Sequence, residues 1–137
     1  MTPILLALIT LGCGGVIRFF SKVAGENDGY GPTYMLAQCI GFAFVAAMIH
    51  VIERQHLDLS LRMTGIAIVG GMIGAVGVFA LILGFKMGGE GSILFPISGM
   101  SVVVAVVFSI LVYREPITAS KIVGLALGIG SIVILSR

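Results

Sequence analysis

The sequence predicts an all-α integral membrane protein, a bundle of five transmembrane helices joined by short loops. Three observations point there. Of 137 residues, 58% are hydrophobic and 10% charged, where a soluble domain carries roughly 25% charged residues. The mean hydropathy is +1.18, so too few polar groups exist to cover a water-facing surface, and lipid is the solvent that fits. The apolar residues fall into stretches close to the length that crosses a hydrocarbon core, and they lack the strict alternation of a β-barrel strand. The whole chain, 1–137, reads as a single transmembrane domain.

The first stretch runs from Pro3 to Lys22 and holds Gly12, Gly14, Gly15 and Arg18. It reads as a retained membrane helix. No basic region precedes Pro3, as a secretory signal would need, and in "TLGC" Thr10 stands where a lipoprotein box has a branched aliphatic residue. "AGENDGYGP" follows, dense in turn formers. The second stretch runs from Thr33 to Ile52, and "ERQHLDLSLR" is the longest polar link. The third, Met63 to Phe85, is rich in glycine and closes on "KMGGEG". The fourth, Ser92 to Tyr113, contains Pro96, which is either a first-turn proline or a kink. After "REPIT" the fifth runs from Ala119 to Leu135. The links are too short to hold a soluble module.

These facts exclude several classes of function. A net charge of +2 without a basic run gives no footprint for nucleic acid. Cys13 and Cys39 lie inside apolar stretches, where a free cysteine packs as a small hydrophobe. No spacing of cysteine or histidine fits a zinc site. No nucleophile, base and oxyanion donors can be assembled, so no catalytic residue, metal or cofactor is expected.

Small residues recur at helical spacing. Gly70, Gly74 and Gly77 share one side of the third stretch; Ser120, Gly124, Gly128 and Ser131 line the fifth. In lipid, helices associate by close packing, which small side chains permit, so these stripes read as helix packing or a dimer interface. Polar residues at membrane depth are the candidates for binding a solute: Arg18, Lys22, Tyr34, Gln38, Glu90, Ser98 and Ser101. Arg18 and Lys22, four residues apart, would form a cationic mouth. Arg18 either reaches for the headgroups or faces the bundle and holds an anion. No Asp or Glu lies centrally in any stretch.

Five spans would put Arg54, Arg62, Arg114 and Lys121 on the side of the N-terminus, and Arg18, Lys22, Lys86 and Arg137 on the other. Orientation follows the Lys/Arg bias, and here four face four. A chain without bias can insert both ways and pair antiparallel, the two-chain equivalent of an inverted repeat.

"REPITASKIVGLALGIGSIVIL" resembles the closing helix pair of the drug/metabolite transporter superfamily, of the EamA-like kind, with Glu115, Thr118, Gly124 and Gly130 at the family's positions. "GGEGSILFPISGMSVVVAVVFSILVYREP" is similar to the preceding family helix, and "GGVIRFFSKVAG" to the first, with Lys22 at its basic position. Arg114 replaces the family's glycine before the glutamate, and Pro96 lies earlier than the family's proline. The resemblance implies one five-helix repeat of a carrier that works by alternating access in the inner (plasma) membrane, its cavity lined by the first, third and fourth helices and the fifth serving as scaffold or interface. It would act as a homodimer or beside a homologous subunit, moving a small metabolite or drug-like solute. The related small multidrug resistance proteins carry an acidic residue in the first helix; its lack here speaks against proton-driven export of cations. A subunit of a lipid-linked sugar or polyprenyl-phosphate flippase, or a scaffold without transport, is the alternative.

Overall fold

In the computed structural model the chain is all helix and turn among the described residues, which are 2–54, 60–114 and 118–135, with the backbone alone described at 121, 132, 133 and 135. Asp58, Glu115 and Arg137 of the sequence reading lie outside this set, as does the side chain of Lys121. The chain divides into two compact units, Met1–Gly88 and Gly89–Arg137.

The first unit holds three helices: α1 (Pro3–Glu26), α2 (Gly31–Glu53) and α3 (Leu61–Lys86). Pro3 opens α1 and Pro32 lies in the first turn of α2, positions where a missing N–H is harmless. α1 runs one turn past the expected Lys22, because Val23 to Glu26 stay helical until Asn27 closes the end. The Asn27 N–H and its side-chain amide both donate to the Val23 carbonyl, at 3.2 and 2.8 Å. Asp28 then turns the chain at φ 55°, and the Gly29 N–H donates to the Ala24 carbonyl at 2.9 Å. The polar link foreseen from Ala24 is therefore half helix and half tight turn.

These three helices meet at one end. Ile82 and Phe85, near the end of α3, are the buried large apolar side chains of the unit, at 2% and 3% exposure. Ser21 and Gly25 of α1 and Gly31 of α2 are buried beside them. So the C-terminal ends of α1 and α3 and the N-terminal end of α2 converge. The buried Ser21 hydroxyl is satisfied by donating to the Ile17 carbonyl at 3.1 Å. Asp28 and Lys86 form an ion pair of 3.3 Å over this end. Both side chains are well exposed, so it contributes less than about 1 kcal/mol. Away from this end, α1, α2 and α3 present leucine, isoleucine, valine and phenylalanine outward, the surface that lipid would cover.

The second unit holds α4 (Gly91–Gly99), α5 (Ser101–Tyr113) and α6 (Ala119–Leu135). The fourth apolar stretch is thus two helical pieces where one was expected. Pro96 lies inside α4, beyond its first turn and four residues before Met100. It has no N–H to offer the Ser92 carbonyl, and its ring crowds that carbonyl. α4 closes at Gly99, Met100 donates to Ile97 at 3.1 Å, and α5 begins at once. α6 packs on α4, with the Met100 sulfur 4.0 Å from the place a Cβ would take at Gly128.

Among the described residues four segments are long and apolar enough to cross a membrane: α1, α2, α3 and the 23-residue stretch Gly91–Tyr113 formed by α4 and α5. At 1.5 Å per residue, 23 to 26 residues reach about 34–39 Å. α6 has 17 residues, about 26 Å.

Candidate functional site

In the first unit the site is built from the meeting end outward. Gly25 permits the closest approach. A Cβ there would stand 2.6 Å from the Phe85 Cβ and 2.8 Å from the Ile82 carbonyl oxygen. Gly31 does the same for α2, where a Cβ would stand 3.1 Å from the Phe79 ring. At Gly25 only glycine fits without parting α1 from α3, whereas at Gly31 a small shift of the Phe79 ring would make room.

From this end α1 and α2 diverge and leave a groove of about 580 Å³. Ile17, Phe20, Val23 and Ala24 form its α1 wall; Tyr34, Ala37, Gln38, Gly41, Phe42 and Val45 form its α2 wall. Tyr34 and Gln38 are the polar side chains in it, one helical turn apart and both half-buried. Neither has a hydrogen-bond partner among the described residues. The volume lies within the range of about 300–1,000 Å³ that small-molecule sites occupy.

Arg18 and Lys22 do not line the groove. Arg18 falls on the stripe of α1 that also carries Ser21 and Gly25, the side packed on α3, and is half-buried there. It makes no ion pair or hydrogen bond with the described residues. Lys22 is paired with Glu26 at 3.3 Å, one turn on. Lys22 thus stands beside a carboxylate, while Arg18 has no partner among the described residues.

In the second unit Glu90 is exposed at the N-cap of α4 and accepts a 3.3 Å hydrogen bond from the Ser92 hydroxyl. Ser98 donates to the Phe95 carbonyl at 3.1 Å, which occupies its hydroxyl, and Ser101 is exposed at the start of α5. Gly130 and Ser131 lie with Val123, Ala126, Leu127 and Ile134 along an open face of α6, a shallow groove of about 570 Å³.

The small-residue stripes divide. Gly70, Gly74 and Gly77 are exposed, and a Cβ at any of them would meet nothing within 4 Å. Within the three-helix unit they pack against no neighbour. Gly124 is likewise open, Ser120 and Ser131 are exposed, and Gly128 approaches Met100. The glycines that do close a helix contact, Gly25 and Gly31, sit where the sequence reads as loop.

Helices of this length and apolarity, with polar side chains set into the grooves between them, define a multi-pass membrane protein. The EamA-like transporter family model matches residues 1–137. The chain belongs to that family, within the drug/metabolite transporter superfamily. No curated protein and no solved structure is significantly similar to it.

Proposed function

We propose that the chain moves a small solute across the inner (plasma) membrane by alternating access, as a pair of five-helix units in which α6 is the fifth span. The family match over residues 1–137 carries this reading. The open state of the first unit supports the pairing: three long helices hold each other at one end, and glycines 70, 74 and 77 stay uncovered. An antiparallel homodimer, or a pair with a homologous subunit, would cover those faces and enclose a path. Tyr34 and Gln38 are the proposed solute contacts.

Arg18 supports a second reading, a subunit that flips a lipid-linked phosphate. It is a cation within a span, without a partner among the described residues, on the side of α1 that packs on α3. Two measurements separate the readings. Proteoliposomes that take up a solute, with Arg18→Gln near the parent rate, favour the carrier; loss of phosphate-lipid flipping in Arg18→Gln favours the flippase. A reporter fused after Arg137 tests dual insertion. With Arg18 counted at the C-terminal side, four basic residues stand on each side and the parent gives comparable signals on both faces. Arg62→Gln leaves three against four and moves the C-terminal reporter toward the inside. A single orientation in the parent would refute the antiparallel homodimer.

A further inference from the structure

The groove between α1 and α2 has a chemistry of its own. Its walls are hydrocarbon and aromatic, and no ionisable acid or base lines it apart from the Tyr34 phenol. Its polarity is confined to one end. Counting from the start of α2 at Gly31, Tyr34 lies about 4.5 Å along the helix and Gln38 about 10 Å, while Gly41 to Val45 lie about 15–21 Å in. The lining of α2 from Tyr34 to Val45 spans about 16 Å. So a long slot begins at the turn 27–30 with two hydrogen-bonding groups and continues inward as pure hydrocarbon.

Within lipid, an amide and a hydroxyl without partners are costly. Neither side chain bonds a described residue, although both are half-buried against the neighbouring helix. A lipid tail or an all-apolar helix face laid in the slot would leave both unsatisfied. A charged ligand would find no counter-ion in the slot, because neither Lys22 nor Arg18 lines it. What satisfies the walls and the two polar groups together is an uncharged, elongated amphiphile carrying a donor or acceptor at one end.

We propose that the α1–α2 groove binds an uncharged, mainly apolar molecule about 16 Å long, with its hydrogen-bonding end on Tyr34 and Gln38 and its apolar end over Gly41, Phe42 and Val45. This names the solute class for the carrier reading and rests on that reading only for the claim that the bound molecule is transported. The molecule enters sideways from the bilayer, where such compounds concentrate.

The chain contains no tryptophan, so Phe42→Trp places a single emitter in the slot. The full-length protein in nanodiscs is titrated with N-phenyl-1-naphthylamine, an uncharged amphiphile with one N–H, and with its anionic relative 8-anilino-1-naphthalenesulfonate. Saturable quenching by the neutral probe is expected, with affinity at least tenfold above that for the sulfonate. In the same background Gln38→Leu weakens the neutral probe about threefold to tenfold, the loss of one net hydrogen bond. Gly41→Leu fills the slot and abolishes binding; its Cβ meets nothing within 4 Å, so the helix accepts it. Gly65→Leu, equally open but outside the slot, leaves binding unchanged and shows that the effect is local.

Equal or tighter binding of the sulfonate overturns the proposal in favour of an anion site. Quenching indifferent to both Gly41→Leu and Gln38→Leu overturns it in favour of partition into lipid. No binding in the parent, with dimer cross-linking lost in Gly41→Leu, overturns it in favour of a helix of a second copy. Solute uptake that survives Gly41→Leu removes the slot from the path and leaves the carrier reading standing. Specific binding without uptake of any solute leaves the slot standing and removes the carrier reading.

Discussion

Gly25→Ala places one methyl group where α1 and α3 meet. The new Cβ would lie 2.6 Å from the Phe85 Cβ, 2.8 Å from the Ile82 carbonyl oxygen and 3.4 Å from the Lys86 nitrogen. Each neighbour is backbone or is fixed by it, so no rotamer change relieves the contact. Bringing 2.6 Å to an ordinary 3.4 Å requires the helices to part by about 0.8 Å, and a gap of that size forfeits a quarter to a half of each contact's attraction. Ile82 and Phe85, the most buried large side chains of the unit, lose it together. Overpacking of this kind costs about 1–3 kcal/mol, offset by up to about 1 kcal/mol of helix propensity. The expected net lies between about 0 and 3 kcal/mol, with a centre near 1.5 kcal/mol. Gly70→Ala is the matched control, since its Cβ meets nothing and only the propensity gain remains. Thermal unfolding in detergent reads both. The midpoint falls by several degrees for Gly25→Ala and holds or rises for Gly70→Ala. Equal midpoints for the two variants would refute the claim that α1 and α3 are held together at Gly25.

Two further outcomes follow from the backbone. Pro96→Ala restores an N–H to bond the Ser92 carbonyl, so amide exchange at residues 96 to 101 slows and the break at Met100 is lost; unchanged exchange there would mean that Gly99 and Met100, not the proline, break the span. Arg114 ends α5 at φ 52° and ψ 39°, a left-handed conformation that costs a non-glycine residue about 1–2 kcal/mol. Arg114→Gly stabilises by roughly 0.5–1 kcal/mol after the greater entropy loss of glycine, read as a rise in the same midpoint.

That last position explains a departure visible in the sequence. The family pattern has glycine before its glutamate, and here Arg114 stands in its place. The pattern reflects a helix end that needs positive φ, and the arginine keeps the geometry at an energetic cost. Asp28 and Arg54 make the same kind of turn, at φ 55° and 52°. Helix ends were legible because turn chemistry is local: "AGENDGYGP" and "KMGGEG" lie within a few residues of the real breaks. The break at Met100 was legible only as the presence of Pro96, because whether a proline opens, bends or splits a helix depends on where the helix begins. That was set by Gly91, next to a glutamate whose carbonyl accepts the Ile93 and Leu94 N–H groups.

Which faces meet was far less legible, and lipid is the reason. In water an apolar stripe marks the side that packs, because the other side must be polar. In a bilayer both sides are apolar, so pattern cannot separate a lipid face from a helix contact, and only small residues suggest an answer. Small residues are ambiguous here: Gly70, Gly74 and Gly77 lie at ideal spacing and touch nothing in their unit, while Gly25 and Gly31 lie at the fringe and hold it together. Tyr34 and Gln38 escaped the ambiguity, because a polar group inside an apolar stretch needs a partner wherever it points. Arg18 carries the same requirement more strongly, and the described residues do not meet it. An arginine without a partner among the described residues on the packed side of α1, a row of uncovered glycines on α3, and two part-exposed polar groups in the α1–α2 groove without partners among those residues are three separate demands for a neighbour. A solute of the kind proposed answers only the last. The glycine row asks for a close-packed helix and the arginine for an anion or an acidic side chain, and the pairing proposed above would supply both.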